Sequence, residues 1–89
     1  MNVAERFGAN LKRERERADL SQEALSLMAC VHRTEVSMLE RGIRIPRIDT
    51  LVKLACSLEV TPEELLAGLD WEPGEARIGR FEIRDEAKT

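Results

Sequence analysis

Tyrosine is absent from the 89 residues, tryptophan occurs once and phenylalanine twice. A core must therefore be assembled from Leu, Ile, Val, Met and Ala, side chains that suit small helices packed ridge into groove. A single histidine, His32, accompanies two cysteines, Cys30 and Cys56, and there is no CxxC pair. That set falls short of a structural zinc site, and both thiols are expected to be small buried residues. No apolar run approaches the ~20 residues that span a bilayer. The opening stretch MNVAERFGANLKRER lacks the apolar centre of a secretion signal. A cytoplasmic protein without a membrane partner is expected. No Ser/His/Asp set, metal cluster or Gly-rich phosphate loop is present, so neither an enzyme nor a cofactor is expected.

What the chain does have is 43% hydrophobic content in a length that allows one small domain. Its organising stretch is Leu20 to Gly42, LSQEALSLMACVHRTEVSMLERG. Ser21 stands where a hydroxyl caps a helix start, and Leu25 and Met28 follow at helical spacing, which predicts a helix over 22–29. Cys30, Val31 and His32 break the pattern. A second helix is predicted over 33–41, with Val36 and Leu39 inward, Arg33, Thr34, Ser37 and Met38 outward, and Gly42 as its left-handed stop. Two helices joined so tightly cross steeply, the helix-turn-helix geometry that enters a DNA major groove.

On either side, Phe7 and Leu11 mark an amphipathic helix over 3–18. Ile48, Leu51, Leu54, Ala55 and Leu58 mark another over 48–58. Thr61-Pro62-Glu63-Glu64 combines a capping Thr, a proline in the first turn and a glutamate at the third position. It starts a fifth helix running to Ala67, with Leu65 and Leu66 closing the core.

The ordered set Leu20-Ser21-Gln22-Glu23, Leu25, Val31, Val36, Leu39-Glu40-Arg41-Gly42, Pro46, Thr50-Leu51, Leu54-Ala55, Leu58, Val60 and Glu64-Leu65-Leu66, with Phe7, Leu11 and Arg15 upstream, resembles the Cro and phage-repressor (xenobiotic-response-element) type of helix-turn-helix regulators. The resemblance covers residues 5 to 68. It implies an all-α, five-helix lambda-repressor-like DNA-binding domain over 1–69, with 70–89 as a separate tail. It also implies that Arg33, Thr34, Ser37 and Met38 read base edges, that Ser21 and Gln22 brace on phosphate, and that Arg15 forms a partly buried ion pair with Glu40. Three turns where the family often has glycine carry Asp19, Cys30 and Glu59. Of these Cys30, in the central turn, is where backbone strain is least surprising. His32 replaces the usual capping Ser or Thr. It is either a poor cap with an exposed ring or a DNA contact. Glu35, on the same helix, either accepts from cytosine or repels phosphate.

A net charge of −3 looks wrong for a DNA binder, but its distribution is uneven: nine Lys/Arg face six Asp/Glu between residues 6 and 47, whereas seven acids face Lys53 alone from 49 to 75. Local field, and not total charge, steers a polyanion. The loop IRIPR after the second motif helix places Arg41, Arg44 and Arg47 where forked hydrogen bonds to phosphate are expected.

The tail opens with Leu69-Asp70-Trp71-Glu72, turns at Pro73-Gly74 and ends in the alternating run Gly79-Arg80-Phe81-Glu82-Ile83-Arg84, a strand signal. A lone strand needs a partner; the alternative is a disordered tail whose Phe81 and Trp71 only touch the helical body. Antiparallel pairing of 79–84 with a second copy, with Trp71, Ile78, Phe81 and Ile83 as the dimer contacts, would set two reading helices about 34 Å apart, one DNA turn. The partners expected are thus double-stranded DNA and a second copy binding a palindromic operator. The competing reading is an antitoxin or other protein-interaction module whose tail clamps a partner protein.

Overall fold

The computed structural model describes residues 1–75 and 77–84, so the expected tail is described through Arg84 apart from Ala76. Five helices and two strands follow one another: α1 (Val3–Arg17), α2 (Gln22–Ala29), α3 (Arg33–Glu40), α4 (Ile48–Leu58), α5 (Pro62–Leu65), β1 (Leu69–Pro73) and β2 (Gly79–Ile83). Each helix start that carries a capping side chain is explained locally. Asn2 and Glu5 form a reciprocal capping box on α1, the Ser21 hydroxyl accepts from the Ala24 amide at 3.0 Å, and Thr61 and Glu64 form a second box behind Pro62. His32 makes no side-chain cap on α3.

Helix ends repeat one device. After α1, α2, α3 and α4 the chain enters the left-handed region at Asp19, Cys30, Gly42 and Glu59, with φ of 58°, 56°, 72° and 58°. The following amide reaches back to a carbonyl five residues earlier, as from Val31 to Ser26 at 3.0 Å and from Val60 to Ala55 at 3.0 Å. This is the Schellman closure, in which the residue after the left-handed one packs inward. Leu20, Val31 and Val60 do so against the core. The three non-glycine positions hold a backbone conformation that costs an L-residue about 1–2 kcal/mol.

The core is Phe7, Leu11, Leu25, Ala29, Val36, Leu39, Leu54, Ala55, Leu58 and Leu65, drawn from all five helices. Several expectations about burial need correction. Cys30 and Cys56 are both exposed. Cys30 occupies the outward-turned left-handed position, and Cys56 lies on the side of α4 opposite the buried Leu54, Ala55 and Leu58. Ile48 is 80% exposed and lies in the first turn of α4, none of whose residues is buried. Met28 is exposed and Ala29 takes the inward place. Of the pair Leu65 and Leu66 only the first is buried, since α5 ends after a single turn.

The expectation that the strand stands alone within its own chain is corrected. β2 pairs antiparallel with β1 of its own chain, Leu69 opposite Ile83, Trp71 opposite Phe81 and Pro73 opposite Gly79. The alternation in Leu69-Asp70-Trp71-Glu72 is itself a strand pattern, and Pro73-Gly74 supplies the reversal. The bond from the Arg84 amide to the Gly68 carbonyl, 2.7 Å, continues the ladder toward the body, and the Arg6 guanidinium on α1 donates to the Arg84 carbonyl at 3.3 Å.

Candidate nucleic-acid interface

The position of α3 is set at its C-terminal end by a polar knot. Arg15 on α1 donates from Nε and Nη2 to the two carboxylate oxygens of Glu40 at 2.6 and 2.9 Å, and from Nη1 to the Leu20 carbonyl at 2.8 Å. Gln22 Nε2 on α2 adds a third bond to Glu40, at 3.1 Å. Side-chain exposure of the ion pair is only 12% and 4%. The hydrogen bonds that Arg15 donates to Glu40 push the Arg15 pKa upward from its already high value. One carboxylate at the end of α3 is thereby tied to α1, to the α1–α2 turn and to α2.

Two glycines make that approach possible: Gly8, which sequence reasoning passed over, and Gly42, which it read only as a helix stop. A Cβ on Gly8 would stand 2.4 Å from the Leu39 carbonyl oxygen and 2.7 Å from that of Glu40. One on Gly42 would meet the Glu5 Cα at 2.9 Å. A glycine inside a helix is costly unless something comes close, and that is the signal that would have found Gly8. Asn10, fully buried, was missed as well. Its Nδ2 donates to the carbonyls of Leu65 and Ala67 at 2.9 and 2.8 Å, which binds α1 to the end of α5.

With its far side buried through Val36 and Leu39, α3 exposes His32, Arg33 and Thr34 at its start and leaves Ser37 and Met38 half-buried along the same face. Ser21 and Gln22 stand at the N-terminus of α2, where Ser21 is engaged as the cap. The three loop arginines differ in their surroundings. Arg44 donates to Glu35 Oε2 at 2.8 Å, Arg47 lies 3.4 Å from Asp49, and the Arg41 Nε donates to the Ser37 carbonyl at 3.4 Å. Glu35 therefore neither faces a base unaided nor stands as a bare negative charge: it holds Arg44 beside α3.

A helix supported from behind by three elements, with polar side chains outward and arginines past its end, has the arrangement that a helix reading nucleic acid requires. The helix-turn-helix family model HTH_3 matches residues 11–65. The chain belongs to this family. It is a DNA-binding helix-turn-helix regulator of the Cro/C1 type. It is similar to the control protein C.BamHI of Bacillus amyloliquefaciens, 35% identical over 73% of this chain and 82% of that protein. Among solved structures it is similar to the restriction-modification controller protein C.AhdI of Aeromonas hydrophila, with a TM-score of 0.68 and 35% identity over 70% of this chain and 94% of that one. It is also similar to the P22 c2 repressor in complex with a synthetic operator, with a TM-score of 0.65 and 29% identity over 70% and 94%. These are regulators and control proteins, in line with the expectation that the chain is not an enzyme. Among the described residues no helix is long and apolar enough to cross a membrane.

Proposed function

We propose that this protein is a sequence-specific regulator of transcription that binds a palindromic operator as a homodimer, with α3 in the major groove of each half-site. The observation that carries the reading is the exposed start of α3, Arg33 and Thr34, on a helix whose other end is fixed through Glu40. In this reading Arg33 forks onto guanine O6 and N7, Thr34 or Met38 touches a thymine methyl, and Ser37 and His32 complete the base contacts. Ser21, Gln22, Arg41, Arg44 and Arg47 meet phosphates and set the register without reading sequence. The likeness to a control protein and to a repressor crystallised on an operator supports the same use of the fold.

Selection of bound sites from random duplex DNA would supply the operator, and two variants then divide the roles. Arg33→Ala is expected to cost about 1–3 kcal/mol on the selected site and almost nothing on unrelated DNA. Changing Arg41, Arg44 and Arg47 together to Ala is expected to weaken all duplexes alike and to flatten the salt dependence by about 0.9 log units per lost phosphate contact. An Arg33 variant that loses both kinds of DNA equally, or a triple variant with an unchanged salt slope, would refute the assignment.

A further inference from the structure

The family match ends at residue 65, and the hairpin of β1 and β2 lies beyond it. Its two faces differ sharply. Leu69, Trp71 and Pro73 on β1 and Gly79, Phe81 and Ile83 on β2 share one face by register, and Asp70, Glu72, Arg80 and Glu82 share the other. The apolar face is built with some care. The Trp71 and Phe81 rings meet edge to face at 5.0 Å and 71°, and Trp71 lies over Gly79, where a Cβ would come within 2.2 Å of the ring. Yet Trp71 is 51% and Phe81 54% exposed.

The two edges differ as well. Because Arg84 bonds to Gly68, the hydrogen-bonded pairs of the ladder are 68 with 84, 70 with 82 and 72 with 80. The backbone groups of 69, 71 and 73 on β1, and of 79, 81 and 83 on β2, therefore point away from the partner strand. On β1 that edge is closed to pairing: the Trp71 amide is taken by its neighbour Asp70 Oδ1 at 3.0 Å, and Pro73 has no amide. On β2 the register turns the amides of Gly79 and Phe81 to the outer edge, and among the described residues no backbone bond from outside the ladder reaches them. One edge is blunted and the other left open, the pattern of a strand meant to take one neighbour.

The geometry points to that neighbour being β2 of a second copy, paired antiparallel about a twofold axis at Phe81 to give a four-stranded sheet. Three features converge on this register. The outward-facing residues 79, 81 and 83 meet the partner's 83, 81 and 79, so each faces a residue whose backbone groups also point outward. On the polar face Arg80 comes opposite the partner's Glu82, and Glu82 opposite the partner's Arg80, two complementary cross-strand pairs from one symmetry axis. On the apolar face Trp71 and Phe81 line up with the partner's Phe81 and Trp71 in a single row of four rings. The half-buried end at Ile83 meets the partner's Gly79, the residue that needs least room. This inference rests on the homodimer reading above and names its interface.

The register predicts a test that separates contacts between copies from contacts within one. Arg80→Glu places like charges opposite each other at both cross-strand sites of a homodimer, and so does Glu82→Arg. Each variant of the full chain is expected to sediment with a dimer dissociation constant raised on the order of tenfold or more. Mixed in equal amounts, the two complement each other at both sites, and the mixture is expected to regain the dimer. A role of Arg80 and Glu82 inside one hairpin, where they lie 3.0 Å apart, would not be rescued by mixing. Circular dichroism of each variant checks that the helices persist. The proposal is overturned if the wild-type chain is monomeric at all concentrations, if either variant dimerises like the wild type, or if the mixture stays monomeric. Binding of the same proteins to a mixed-sequence duplex is read separately. A wild-type chain that stays monomeric yet binds it refutes this interface and leaves the reading of α3 standing, and a wild-type or rescued dimer that does not bind does the reverse.

Discussion

The helix-turn-helix body and the hairpin use polar and apolar groups in opposite ways. In the body the ion pair of Arg15 and Glu40 and the amide of Asn10 are turned inward, where they fix one helix against another. In the hairpin Asp70, Arg80 and Glu82 are spread over one surface while two aromatic rings stay half in solvent. A buried polar knot adds little net stability compared with apolar packing, but it tolerates only one arrangement of its partners. An exposed apolar face does little for its own chain and suits a second one. Orientation of α3 is thus specified within the chain, and the hairpin keeps an apolar face for the association between chains proposed above.

The sharpest way to break this contrast is at the knot. Arg15→Ala leaves Glu40 nearly buried with, among the described residues, only Gln22 as a side-chain partner, and the expected loss is about 3–5 kcal/mol of unfolding free energy in urea. A loss below about 1 kcal/mol would place the pair among ordinary surface bridges. The sign of the pH dependence follows from the raised pKa of Arg15. Its contribution is fully present below the ordinary arginine pKa and is lost only as pH climbs through the higher folded value, so this group alone leaves stability flat across the neutral range.

How much of this was legible depended on whether the cause was local. Ser21 and the Thr61-Pro62-Glu64 box mark helix starts by chemistry within four residues, and α2 and α4 begin and end where patterning predicts. The link from Arg15 to Glu40 came from resemblance to the family, since nothing in the spacing of 25 residues indicates a pair. The left-handed turns at Asp19, Cys30 and Glu59 were visible only as departures from glycine. Burial of Cys30, Cys56 and Ile48 was misjudged because residue type states a preference, whereas the face and reach of a helix are set by what covers it. The hairpin was half seen: both strands had alternating patterns, but only one was read as a strand.

Gly8 offers a smaller and more discriminating perturbation of the same seam. Ala is the better helix former by about 1 kcal/mol, so at an open site Gly8→Ala would stabilise the chain. Here the added methyl would stand 2.4 Å from a backbone oxygen of α3, which cannot swing aside as a side chain would. The helices must part, and a net destabilisation of about 1–3 kcal/mol is expected, with weaker duplex binding as α3 shifts. A variant that melts higher than the wild type would mean that α1 and α3 can separate without penalty.

The smallest effect is expected from removing the hairpin. All ten core residues lie between Phe7 and Leu65, and Asn10 secures the end of α5 through the carbonyls of Leu65 and Ala67, both upstream of β1. What the body loses is the Arg84 carbonyl as an acceptor for Arg6 and the cover given by Leu69 and Ile83. Arg6 then gains water in place of that acceptor, and each hydrogen bond so exchanged costs about 1 kcal/mol or less. Deleting residues 69 to 89 should therefore leave a helical protein that unfolds cooperatively near the wild-type midpoint, sediments as a monomer and binds a palindrome no better than a half-site. A truncated chain that still dimerises would place the interface on the helical body. One that fails to fold would show that the hairpin belongs to the body's own core, and the division of labour between the two regions would be wrong.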